Sequence, residues 1–137
     1  MNLDIGIRGG QELIVEESML AVNVGSGEVS VLATPCIVTA AENTAAASVK
    51  PYLDPGDTTV GTHINLSHSA ATPCGMKFFV RTELAHISSN GKILNFVVTV
   101  HDEAGVISEG THQRAIVRKQ RFEEKAAAKR RAAGRQE

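Results

Sequence analysis

Apolar and polar residues change their spacing several times along the 137-residue chain, and the changes mark out its elements. From 11 to 24 the chain reads as extended. Leu13, Ile14, Val15, Met19, Leu20, Val22 and Val24 are apolar and partly alternate, with Glu16-Glu17-Ser18 as an interrupting turn. Gly25-Ser26-Gly27 breaks the segment. Thr34-Pro35 then signals a helix start, with Thr34 as N-cap and Pro35 at the first helical position, where its missing N–H and fixed φ do no harm. The stretch to about Val49 carries Ala40, Ala41, Ala45, Ala46 and Ala47. It predicts a helix of roughly 15 residues, about 22 Å long, slim enough for a sheet to approach closely. Pro51 and Asp54-Pro55-Gly56-Asp57 end it. The period then becomes two, and strands are predicted over 59–67, 76–87, 93–101 and 106–117. Thr72-Pro73-Cys74-Gly75, the hairpin signal Ser89-Asn90-Gly91-Lys92 and Asp102-Glu103-Ala104-Gly105 separate them. Helix resumes from about Gln120. The order is extended segment, one long helix, then an antiparallel meander of about four strands. That is an α+β layout with a helix on one face of a sheet.

Composition narrows this to one domain. Hydrophobic residues make up 42% of the chain, enough for a core, and charged residues 21%, too few for wholesale disorder. There is no run of about 18 apolar residues, so no membrane-spanning helix is expected. Met1-Asn2-Leu3-Asp4 lacks the basic-then-apolar pattern of a secretory signal. Cys36 and Cys74 match no zinc site or disulfide framework, and the expected location is a reducing cytoplasm. The net charge of −1 conceals a split. Residues 1–113 hold five basic and twelve acidic residues, a net of −7; residues 114–137 hold nine and three, a net of +6. The expected organisation is a domain over 1–118 and a basic helical tail over 119–137, with Arg118, Lys119, Arg121, Lys125, Lys129, Arg130, Arg131 and Arg135. The tail's single aromatic, Phe122, offers little base stacking, so nucleic acid is not an expected partner.

Candidate chemistry is sparse. No HExxH, GxSxG or P-loop occurs, and no metal or cofactor is expected. His63 and His68 are five apart, so on one strand at most one of them faces the helix. Glu42, midway along the alanine-rich helix, sits either on the solvent face or on the buried stripe, where a carboxylate needs a partner or a raised pKa. Thr34 is either a simple cap or a hydroxyl facing a reacting carbonyl. Pro35 has no N–H, so the backbone donors available there for an oxyanion would be those of Cys36 and Ile37.

Ala33-Thr34-Pro35, Glu42 eight residues after the threonine, Pro51-Tyr52-Leu53-Asp54-Pro55-Gly56, Gly61-Thr62, His68-Ser69-Ala70-Ala71-Thr72-Pro73 and Gly110-Thr111-His112-Gln113-Arg114-Ala115 follow in order. Together, over about residues 11 to 120, they resemble the fluoroacetyl-CoA thioesterase family of hotdog-fold acyl-CoA thioesterases. The resemblance implies an antiparallel sheet wrapped around one long helix. It implies hydrolysis of a small or medium acyl-CoA thioester, with coenzyme A as part of the substrate. By position it puts the catalytic group on Thr34, Glu42 and His68, with His68 on the strand after the helix, Gly61 beside the acyl group and Arg114 at the pocket. The fluoroacetyl-specific enzyme carries lid aromatics just before the helix; residues 25–32 here contain no Phe, so that specificity is not expected. Eight helical residues separate Thr34 from Glu42 by about 12 Å, so one chain cannot join them directly. A homodimer with neighbouring antiparallel helices would bring Thr34 of one chain toward Glu42 of the other. The rival reading is a non-catalytic acyl-CoA-binding module on the same fold.

Overall fold

The computed structural model describes residues 2–134. Met1 of the N-terminal pattern and Arg135 of the basic tail lie outside the described residues. Strand β1 (Arg8–Ile14) starts earlier than the apolar pattern indicates and stops at Ile14. Beyond it the chain is not extended: a 3₁₀ turn (Glu17–Met19) leads into a one-turn helix, α1 (Ala21–Val24). The apparent alternation there came from a helical turn, with Leu20 and Ala21 buried and Val22 and Val24 exposed. Gly25 ends α1 at φ +90°, a left-handed cap whose N–H bonds the Ala21 carbonyl.

The long helix α2 (Thr34–Val49) agrees closely with the alanine pattern. It is followed by β2 (Asp57–Leu66), β3 (Lys77–Ile87), β4 (Ile93–Asp102) and β5 (Val106–Arg118), and then by α3 (Lys119–Gly134), none of whose residues is buried. The strands form one antiparallel sheet in the order β1-β3-β4-β5-β2. The expected four-strand meander is therefore three strands long. β2 pairs with β5, at the far edge from β1. To reach β3 from that edge, residues 67–76 cross the ends of the intervening strands. Ser67 and Ser69 donate their N–H groups to the Glu109 and Ile107 carbonyls of β5, and Thr72 Oγ1 donates to Asp102 Oδ2 of β4 at 2.8 Å.

α2 lies on the inner face of the sheet and divides the core between two clusters. Ile37, Ala40 and Ala41 meet Phe78, Val80, Val98, Val100 and Ile107; Ala45 and Val49 meet Leu84, Leu94, Phe96 and Ile116. Small residues let the backbones approach. A Cβ on Gly9 of β1 would stand 2.9 Å from Ser48 Cβ and 3.0 Å from the Thr44 carbonyl of α2. Among the described residues no helix is long and apolar enough to cross a membrane.

Candidate active site

The start of α2 and the crossover after β2 meet at one end of the helix. Leu32 donates its N–H to the Thr72 carbonyl, and Ala33 donates to Met19. These bonds keep the chain extended through Ala33, which is the N-cap, with φ −74° and ψ 142°. Thr34 is thus the first helical residue rather than the expected cap, and no side chain caps the helix. Its hydroxyl is turned to the crossover instead: Thr34 Oγ1 lies 2.6 Å from His68 Nδ1. His68 sits two residues past the end of β2, not on that strand. Its other ring nitrogen, Nε2, is buried and has no hydrogen-bond partner among the described residues.

The two amides expected as oxyanion donors are engaged. Cys36 and Ile37 both direct their N–H groups to the Ala33 carbonyl, at 3.0 and 3.3 Å, as the cap geometry requires. The donor left at this helix start is the N–H of Thr34 itself, which makes no hydrogen bond among the described residues. It stands at the positive end of the helix dipole, beside the threonine hydroxyl. Burial pushes the Cys36 thiol pKa up, so this cysteine is not an activated thiolate. The Ile37 side chain belongs to the core.

Two helical turns further on, a second group gathers around Gly61. Glu42 is half-buried, neither in the solvent nor sealed in the core. A Cβ on Gly61 would stand 2.8 Å from Glu42 Oε2, 3.5 Å from Arg114 Nη1 and 3.5 Å from His112 Cε1. Gly61 pairs with Arg114 in the β2–β5 register, just before a bulge between Gly61 and His63. Such bulges re-aim side chains near functional sites. The Arg114 guanidinium is buried and held on three sides. Nε donates to Thr59 Oγ1 at 2.8 Å, Nη2 to the Thr59 carbonyl at 2.9 Å, and Nη1 meets His112 Nε2 at 3.2 Å. Burial lowers the Arg114 pKa, and the Glu42 carboxylate opposes that shift. Arginine stays charged regardless.

His112 is the residue to which sequence reasoning gave no role. It is only 1% exposed. Its Nδ1 lies 2.8 Å from the His63 carbonyl, which can only accept, so Nδ1 carries the proton. Nε2 is then a lone pair that accepts from Arg114. Burial, foremost, holds the His112 pKa below its ordinary value. A signal for it was present: His112 and Arg114 are two apart on a strand and therefore share a face.

One chain therefore holds two groups. Thr34 and His68 are in contact. Glu42, Arg114 and His112 converge on the side-chain-free face of Gly61. The helix rise keeps the groups apart by about 12 Å. Among the described residues no cluster of metal-ligating side chains is formed.

The span matched by known proteins takes in these segments. The family model described as fluoroacetyl-CoA-specific thioesterase matches residues 15–120, most of the chain. The chain belongs to that family. The fluoroacetyl-CoA thioesterase of Streptantibioticus cattleyicolor is 36% identical over 99 residues, covering 72% of this chain and 70% of that protein. A solved structure of a fluoroacetyl-CoA thioesterase superposes with a TM-score of 0.87 at 30% identity, covering 94% of this chain and 98% of the other. A thioesterase-superfamily protein of Thermus thermophilus shares the fold, with a TM-score of 0.84 at 24% identity over 98% of this chain and 96% of that one. As a member of the fluoroacetyl-CoA-specific thioesterase family, with its hotdog fold, the chain is an acyl-CoA thioester hydrolase.

Proposed function

We propose that the enzyme hydrolyses small acyl-CoA thioesters at a site shared between two protomers. Thr34 and His68 come from one, and Glu42, Gly61 and Arg114 from the other. The observation that carries this reading is the 2.6 Å contact between Thr34 and His68, together with the buried, unpartnered Nε2 on the far side of the ring. Nδ1–H donates to Thr34 Oγ1, which leaves the Thr34 O–H and N–H free to receive the carbonyl oxygen as it gains charge. The Nε2 lone pair takes a proton from the attacking water. As the tetrahedral intermediate collapses, the imidazolium returns that proton to the departing CoA sulfur. Glu42 of the other protomer faces the imidazolium and offsets its charge. Arg114 and the gap at Gly61 bound the acyl group.

Dimer formation is supported by the sheet edge. β2 spans ten residues, has no Lys or Pro, and is bonded on one side only, to β5. An uncapped edge of that length is a pairing surface. Antiparallel pairing of two β2 edges sets the α2 helices side by side, head to tail.

The relative from Streptantibioticus acts on fluoroacetyl-CoA, and solved structures of the fluoroacetyl-CoA thioesterase include a variant at a phenylalanine in complex with fluoroacetate and CoA. Other solved forms are variants at a threonine, in complex with fluoroacetate and with acetyl-CoA. We read Thr34 as the counterpart of that threonine, whereas residues 25–32 offer no Phe. The substrate proposed is therefore an unfluorinated short acyl-CoA. A thiol-release assay across acetyl-, propionyl-, butyryl- and fluoroacetyl-CoA tests this, and a strong preference for fluoroacetyl-CoA overturns it. Single turnover in H₂¹⁸O tests the route. The label is expected in the product acid alone, and label in Glu42 would replace water attack by a mixed anhydride.

A further inference from the structure

We propose that His112 is a positioning residue for catalysis: its Nε2 lone pair holds the Arg114 guanidinium at the gap beside Gly61, facing Glu42. The inference rests on the reading of Arg114 as a pocket residue.

Arg114 has five N–H donors. Thr59 takes two of them, through its hydroxyl and its carbonyl, and fixes the inner edge of the guanidinium. Among the described residues only His112 holds Nη1, the nitrogen nearest the side-chain-free face of Gly61. His112 is in turn locked. β5 places it opposite Ile64 of β2 and Phe96 of β4; the Phe96 ring stacks on it at 6.2 Å, and Nδ1–H is tied to the His63 carbonyl at the bulge. The tie to His63 decides which nitrogen is free, and so makes Nε2 an acceptor aimed at an arginine. Without that acceptor the planar guanidinium loses one of its three ties and can tilt as a whole about the Thr59 pair, carrying Nη1 with it.

The arrangement is sensitive to protonation. A proton on Nε2 removes the acceptor and puts a second positive charge 3.2 Å from Nη1. The charged and titratable groups facing the His112 ring are Arg114 on its own strand, Glu42 from α2 and His63 from β2; β4 contributes the uncharged Phe96. Burial and Arg114 disfavour the proton, while Glu42 and the His63 carbonyl favour it, and burial is the largest of these effects. His112 must then be neutral for turnover.

The test compares wild type, His112→Leu, His112→Gln, Arg114→Leu and the His112→Leu/Arg114→Leu double variant, each checked for folding by thermal melting. His112→Leu is expected to lower kcat/KM at pH 7.5 at least tenfold. The double variant is expected to be no worse than the poorer single variant. Glutamine keeps a donor and an acceptor but does not titrate. His112→Gln is expected to recover most of the activity, and to make the acid-side fall of log kcat/KM against pH shallower than in wild type. Additive losses in the double variant, or an unchanged acid slope in His112→Gln, overturn the role of His112. Wild-type activity in Arg114→Leu instead overturns the reading of Arg114 on which it rests. If His112→Leu fails to fold, the slope of the glutamine variant decides.

Discussion

A single hydrogen atom in place of a side chain holds the candidate site open. At Gly61 a methyl group would fall 2.8 Å from the Glu42 carboxylate. The carboxylate is the free end of a flexible side chain and can move, so the fold should tolerate the change while the site should not. Gly61→Ala is expected to lower kcat/KM by about a hundredfold, the scale on which a displacement of about 1 Å costs an active site. The same variant should shift unfolding free energy by less than about 1 kcal/mol, measured by urea denaturation. His112 has a separate stability signature. Its folded pKa lies below its unfolded value, so the unfolded chain binds the proton first as pH falls. Wild-type stability should therefore decline as pH drops below about 6.5, and His112→Gln should lose that part of the decline. Much at this scale was legible in the sequence: Thr34, Glu42, His68, Gly61 and Arg114 all stand in ordered motifs. The hydrogen bonds were not. Cys36 and Ile37 looked like free donors because the cap was placed at Thr34; moving it one residue, to Ala33, commits both amides.

The elements were predicted best where packing and local preference agree. The alanine-rich run became α2, and the period-two segments became β2 to β5 with ends shifted by a residue or two. The failure came at 15–24, where apolar spacing suits a strand and a short helical turn equally well. In the proposed mechanism the crossover after β2 matters most. It carries His68, and Thr72 ties it down twice: the hydroxyl to Asp102, the carbonyl to the Leu32 N–H just before α2. Asp102 also accepts from the Ala104 and Gly105 N–H groups. Burial raises the Asp102 pKa, but these hydrogen bonds outweigh it and hold the carboxyl below the usual range. Asp102→Ala strands those donors and should cost about 2–3 kcal/mol at pH 7 by urea denaturation. A depressed carboxylate stabilises the fold above its unfolded pKa and ceases to do so as pH falls through the folded one. The difference between wild type and Asp102→Ala should therefore shrink below about pH 4.

At the scale of the whole molecule the two half-sites decide the question. If His68 of one protomer serves Glu42 of another, then His68→Ala and Glu42→Ala chains, each inactive alone, should complement when refolded together. Random pairing gives one intact site in half of the dimers, or about a quarter of wild-type activity. No recovery on mixing, with hybrid dimers demonstrated by mass, would sink the shared site. The charge split also looks different in three dimensions. The net-positive segment begins at Arg114, but Arg114 is buried beside Glu42. The exposed basic region begins at Arg118, which lies 3.7 Å from Asp57, and continues along α3.

The sequence by itself determined which segments are helix and which are strand over most of the chain, the family motifs and the residues that carry them. Those depend on local spacing, on proline and glycine, and on side-chain type. Tertiary structure alone decided that β2 pairs with β5 at a sheet edge, that the crossover brings His68 to Thr34, and that a bulge turns the His63 carbonyl to a buried histidine. Each of these depends on where distant parts of the chain meet, and so on packing that no local pattern encodes.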